Sequence, residues 1–171
     1  MSKFPYHLPY KSLDLRKEPH LYRPGRGEQG VLMVQPYKAE LLPAWAFKDV
    51  ETATRSSKDL EARFYGYLQE GDFVGADMTR KFIQMGHTRA RRYANHAGGR
   101  KYAKSEDNSA GFSKRKNELP RSKEDPVKAE SAAIFKAVLE KVKVDKRYLT
   151  LRQEHAEKYE DIEIEAEEQQ T

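Results

Sequence analysis

From about Val50 the apolar positions fall at spacings of three and four, and Leu60, Phe64, Tyr67 and Leu68 mark one face of "SKDLEARFYGYLQEG". That period predicts a half-buried helix. Gly71 is expected to end it, because glycine takes up the left-handed conformation that closes a helix, and Asp72 follows as the N-cap of a second helix. The second helix carries two neighbouring apolar stripes, Phe73, Ala76 and Ile83 beside Val74, Met78, Phe82 and Met85. At Gly86 the pattern is interrupted, so "HTRARRYANH" is expected as a third short helix or as a continuation past a kink. Further on, Asp125 and Pro126 make an N-cap and first-turn pair. They open a segment whose Val127, Ile134, Val138 and Val142, flanked by Phe135 and Leu139, form a stripe that must be buried, either on the body or against another chain.

Between these helices the pattern lapses. Pro5, Pro9, Pro19 and Pro24 interrupt every helical period in residues 1–29, which predicts an extended arm anchored by Phe4, Tyr6, Tyr10 and Tyr22. Val31 to Val34, bounded by Pro36, predicts a short strand or hairpin element near residues 30–35. Leu41, Leu42, Trp45 and Phe47 are candidate core. Residues 104–125 lack apolar periodicity and read as a flexible linker. The expected fold is therefore mainly α: an arm over 1–29, a compact helical core domain over 30–103, a linker over 104–125, a separate amphipathic helix over 126–152 and an acidic tail over 153–171.

Composition sharpens this picture. The chain has 171 residues, with 37% hydrophobic and 35% charged, which favours one domain with polar appendages. Cysteine is absent, so disulfides and thiolate zinc sites are excluded. No apolar run approaches the length of a membrane span, and the prolines in "MSKFPYHLPY" break any signal-peptide core. The expectation is a cytoplasmic or nuclear protein with no membrane partner. The formal net charge of +5 hides an asymmetry: eight acids and one lysine follow Gln153, leaving 31 basic and 19 acidic residues, +12, over residues 1–153. A basic body calls for an anionic partner, and an anionic tail could compete for the same surface or serve only as a solubiliser.

Gly25, Gly27 and Gly30 in "RPGRGEQGVLMVQPYK" spell G-x-G-x-x-G. A dinucleotide cradle needs a strand leading in and a helix leading out; here the order is a turn-rich arm followed by a short apolar run. A plain turn accounts for the glycines. Alternatively Arg23, Arg26 and the loop amides form an anion nest, a phosphate-loop candidate comprising Arg23, Gly25, Arg26, Gly27 and Gly30.

The strongest chemical signal lies between Met78 and Lys104, which hold eight cations and no acid. Arg80, Lys81, Arg89, Arg91 and Arg92, then Arg100, Lys101 and Lys104, interleave with Tyr93 and His96. Guanidinium forks that grip phosphate, rings that stack on bases, and glycines that admit close approach are what a nucleic-acid interface needs. The opposing account is a solvated basic face, or arginines neutralised by Glu61, Asp72 or Asp77; Tyr93 could be core with Ala90 and Ala94. No catalytic motif is found. Glu28, His87 and His96 are weak acid–base candidates, no metal site is read from the scattered histidines, and no cofactor is implied.

The stretches "LYRPGRGEQGVLMVQPYKAELLPAW" and "GDFVGADMTRKFIQMGHTRARRYANHAGGRKY" resemble domain-of-unknown-function family 4385, met in bacteria, fungi and tailed marine phages. The resemblance runs over about residues 6–102 and implies a family domain there, with the linker, last helix and acidic tail as an extension. It implies no activity, cofactor or substrate. Three functions stay open: a non-enzymatic protein binding nucleic acid or another polyanion; a small enzyme acting on a phosphorylated or nucleic-acid substrate with the Gly25 to Gly30 loop in its pocket; and an adaptor that meets a protein partner, or another copy, through the 126–143 helix.

Overall fold

Five helices carry the described residues, 3–103 and 118–164, of this computed structural model: α1 (Tyr37–Leu41), α2 (Val50–Gln69), α3 (Phe73–Asn95), α4 (Pro126–Val142) and α5 (Lys146–His155). Each of the four longer ones starts on an aspartate. Asp49, Asp72, Asp125 and Asp145 accept hydrogen bonds from backbone amides of their own first turns, satisfying donors that a helix start leaves orphaned. The α2 to α3 corner is closed by Gly71 at φ +69°, where the Gly71 amide bonds the Leu68 carbonyl and the Asp72 amide the Tyr67 carbonyl. This pair of bonds is the Schellman arrangement, and it turns the chain within two residues.

Helix α3 is the centre. Every residue from Phe73 to Ile83 is buried, which explains why two apolar stripes were visible rather than one. It packs against α2, α4 and α5. Gly86 does not break it: helix α3 runs through, and the glycine is there because the Phe135 ring of α4 lies where a Cβ would be, at 2.5 Å. Gly75 makes the same concession to Tyr67 of α2.

Helix α4 is not separate. Its Ser131, Ala132, Phe135 and Val142 are buried between α2 and α3, with Ile134, Val138 and Leu139 packed against the same core. Most of the stripe that could have met another chain packs inside the molecule, with Val127 left exposed, and burial of a ring such as Phe135 contributes about 1.5–3 kcal/mol. The single helix expected over 126–152 is two, broken at Lys143 to Asp145 where Asp145 caps α5. Residues 118–125 of the expected linker fold back along the end of α3: the Ser122 and Asp125 amides donate to the Asn95 and Ala94 carbonyls, and Leu119 to Lys101. The rest of that linker, 104–117, lies outside the described residues.

The arm packs as expected through Phe4, Tyr10 and Tyr22, joined by Leu15, while Tyr6 is exposed. The strand near 30–35 is corrected. No strand occurs among the described residues, and Gly30 to Val34 is a series of turns, with Val31 bonded back to Glu28 and Met33 to Gly30. Val31 and Val34 are apolar because they reach the core from those turns. The acidic tail begins later than residue 153, since α5 and a π-turn (Ala156–Glu160) continue the folded chain; residues 165–171 lie outside the described residues.

The contact at Gly86 gives a test. Alanine raises intrinsic helix propensity by about 1 kcal/mol over glycine, but a methyl forced against a fully buried ring costs about 1–3 kcal/mol. Because Phe135 cannot swing into solvent, G86A is expected to lower the urea unfolding midpoint; an unchanged or raised midpoint would show that the two helices are less closely packed.

Candidate functional site: a cationic cleft at the end of α3

The run of basic residues divides at the first turn of α3 that it enters. Arg80 and Lys81 point inward, contrary to their expected place on phosphate. Both lie beside the Asp77 carboxylate, which is fully buried. Arg80 Nε donates to Asp77 Oδ1 at 2.9 Å, Tyr148 of α5 donates to the same oxygen at 2.5 Å, and the Tyr22 hydroxyl of the arm donates to Oδ2. Lys81 Nζ lies 4.0 Å from Asp77. Burial by itself raises the pKa of Asp77, but the Arg80 and Lys81 charges and the hydrogen bonds from Arg80 and Tyr148 outweigh it and hold the carboxyl well below the usual carboxylate range. Burial likewise pushes the Tyr22 and Tyr148 hydroxyls up, so both remain donors.

The glycine loop is held by the same cations. Lys81 Nζ donates to the Pro24 and Gln29 carbonyls at 2.6 and 2.7 Å, and Arg80 Nη1 to the Gly27 carbonyl at 3.1 Å. Carbonyls, not amides, therefore face the charges, the reverse of what an anion nest presents. Gly25, Gly27 and Gly30 all have positive φ, and a Cβ on Gly30 would meet the Phe4 ring at 2.1 Å. The fingerprint is a turn that wraps Phe4. Arg23 is also inward, donating to the His20, Tyr22, Tyr159 and Ile162 carbonyls, and so ties the arm to the end of the chain. Only Arg26 of the phosphate-loop set is exposed among its charged members.

Past Gly86 the remaining cations surface. A cleft of about 240 Å³ opens between the last turns of α3 and the returning segment 118–125. Arg91, Arg92, Lys101 and Arg121 line it together with His87 and His96, against one lining carboxylate, Glu118. His87 and His96 are nine residues apart and would face opposite sides of a continued helix. They meet because His96 leaves α3 with extended backbone, φ −134° and ψ 116°. His96 is 3% exposed; its Nε2 lies 3.6 Å from Glu118, and its Nδ1 has no hydrogen-bond partner. His87 Nδ1 donates to the Ala132 carbonyl at 3.2 Å. Arg91 meets Glu124 at 3.0 Å in a half-exposed pair, an interaction worth about 0–1 kcal/mol that a phosphate can displace.

Other candidates lie apart. Arg100 is exposed beside the cleft, and Arg89 and Tyr93 line a different groove on the neighbouring face of α3. Lys104 lies outside the described residues. Glu28 accepts from the Thr88 hydroxyl at 3.0 Å, which leaves it next to the cleft but bonded away from the imidazoles. Glu28, the two histidines, Arg26 and Arg89 do not converge in one cleft. Among the described residues no group of three or more histidine or acidic side chains is placed to hold a metal ion, and no helix is long and apolar enough to cross a membrane.

The model of a family described as Domain of unknown function (DUF4385) matches residues 5–158. The chain belongs to that family. No curated protein and no solved structure matches it. The DUF4385 match reaches well past residue 102, where the resemblance in the sequence was expected to end, and takes in α4 and α5. That agrees with the burial of both helices against α3. Two lining residues of the DUF4385 cleft, Glu118 and Arg121, escaped sequence reasoning because their segment reads as linker. The inward turn of Arg80 and Lys81 had one visible signal: Asp77 stands three and four positions before them, the spacing of neighbours on a helix.

Burial lowers the Lys81 pKa to about 8 from 10.5, partly offset by Asp77 and deepened by Arg80. Between those values the unfolded chain holds the extra proton, so stability rises as pH climbs through the window. The neutral amine still has hydrogens for both loop carbonyls. Above pH ~10 the buried tyrosines reverse the slope, because their unfolded forms ionise first. Urea midpoints are expected to rise from pH ~7.5 to ~9.5 by the equivalent of about 1–2 kcal/mol, and K81M is expected to remove that rise. A flat profile in the wild type would contradict the burial of a charged lysine.

Proposed function

We propose that this protein binds nucleic acid through its phosphate backbone, in the cleft between the end of α3 and residues 118–125, without catalysing a reaction. The observation that carries this reading is the convergence of Arg91, Arg92, Lys101 and Arg121 on one concave surface with a single lining carboxylate. Guanidinium groups match phosphate oxygens two at a time. Clustering several of them in a cleft raises the local potential beyond what separate surface charges would give. Among the described residues no carboxylate lies within ion-pair distance of Arg92, Lys101 or Arg121. Arg100 and Arg89 extend the cationic surface to either side.

The enzyme reading draws less support. An acid–base pair needs its groups within reach of one reacting atom, and Glu28 is bonded to Thr88 while Arg26 and Arg89 stand elsewhere. The adaptor reading has less apolar surface to draw on, since Phe135 and Val142 of the α4 stripe are buried and Val127 is its exposed member. A nucleic-acid partner implies the cytoplasm or nucleus as the place of work, with the acidic residues beyond Ile162 as a competing polyanion.

Binding of labelled single- and double-stranded oligonucleotides, titrated with salt, tests the proposal. The logarithm of the affinity is expected to fall linearly with the logarithm of salt concentration, with a slope of roughly 0.7–0.9 for each phosphate contacted. Replacing Arg92 and Lys101 together by alanine is expected to weaken binding and to lower the slope by about 1.5, with the unfolding midpoint retained. Binding that is absent at low salt, or indifferent to salt, contradicts it.

A further inference from the structure

On the face of α3 next to the cleft lies a second concavity, of about 430 Å³. Three of the eight exposed large apolar side chains among the described residues, Leu32 (43%), Leu42 (38%) and Tyr93 (38%), line it together. Such a grouping is what marks a binding groove rather than scattered surface residues. Its floor is aromatic: Trp45 and Phe47 have ring centroids 5.1 Å apart, and Phe47 and Tyr93 5.6 Å. The Trp45 indole Nε1 is buried, with no hydrogen-bond acceptor among the described residues. Two cations, Lys38 and Arg89, stand at the groove, and among the described residues no carboxylate lines it.

We infer that this groove is a base subsite: an unpaired base of single-stranded nucleic acid packs on the exposed Tyr93 ring, with the tilted Phe47 and Trp45 rings forming the apolar wall behind it and Lys38 and Arg89 on its flanking phosphates. This rests on the proposed phosphate cleft and names the form of nucleic acid it takes. Three features select a base over other occupants. Aromatic faces flanked by arginine are the usual platform for unstacked bases. A lining of cations without acids repels a basic peptide and leaves a neutral apolar one with unmatched charges, whereas a nucleotide answers both the apolar floor and the cations. The groove is also continuous with the phosphate path, because Arg89 on its wall and Arg92 in the cleft are one helical turn apart. A duplex keeps its bases stacked and offers none to the groove.

Trp45 is the only tryptophan, so the full-length protein reports on this groove through its own emission. Tryptophan fluorescence is titrated with a single-stranded deoxythymidine 12-mer, a 12-base-pair duplex and inorganic polyphosphate, and binding of each is measured separately by competition with a labelled oligonucleotide. The single strand is expected to quench the emission saturably over the range in which it binds, while the duplex and polyphosphate bind without quenching. Y93A is expected to weaken the single strand about tenfold and to leave polyphosphate unchanged. L42E, at an exposed position where folding is not at stake, is expected to weaken the single strand in the same way by repelling its phosphates. Salt-dependent binding of the single strand with unchanged emission, or equal quenching by all three, overturns the base subsite and leaves the phosphate cleft standing. No binding by any of the three overturns both.

Discussion

A single carboxylate organises this protein. Asp77 is buried on the central helix, and the groups that reach it come from every part of the chain: Tyr22 from the arm, Arg80 and Lys81 from its own helix, Tyr148 from α5. An isolated charge at that depth would be too costly to keep ionised. Two cations and three hydrogen bonds make it tolerable, and the same cations then reach onward to the carbonyls of the glycine loop. The network is fully engaged within the fold, and breaking one member would leave others buried and unmatched.

That arrangement decides what the basic segment can do. Arg80 and Lys81 are committed inward, so the surface charge of α3 starts only after Gly86, where the helix emerges from between α2 and α4. From there the arginines on one side enter a cleft and those on the other border an aromatic groove. The positions are set by packing: the Phe135 contact at Gly86 fixes α4 against α3, and the amides of Ser122 and Asp125 bring the returning chain across the helix end. The Arg121 side chain reaches the cleft for that reason alone.

Local chemistry in the sequence foretold the parts of the fold that depend on local chemistry. The caps at Asp72 and Asp125, the glycine closure at Gly71 and the apolar face of α2 were legible because a helix end or a helix face is written within a few residues. Gly86 was misleading, since a glycine that admits a ring from another helix looks the same as one that ends a helix. Val31 to Val34 looked like a strand because turns that bury Val31 and Val34 produce the same short apolar run. The site was half legible. A gap in acids drew attention to the segment that lines the cleft, but which cations face solvent depends on Asp77 and on where the chain returns. The meeting of His87 with His96 depends on the backbone leaving the helix at residue 96, which no spacing records.

The central claim is that the basic run is divided, with its first two cations holding the glycine loop from within and the later ones forming the surface proposed to meet a polyanion. Amide hydrogen exchange, with and without a saturating single-stranded oligonucleotide, tests this division directly. Residues 96–103 and 118–125 form irregular structure at the cleft, and they are expected to gain protection on binding, while the loop over 23–30 stays as it was. Protection gained at 23–30 with none at the end of α3 would contradict the account.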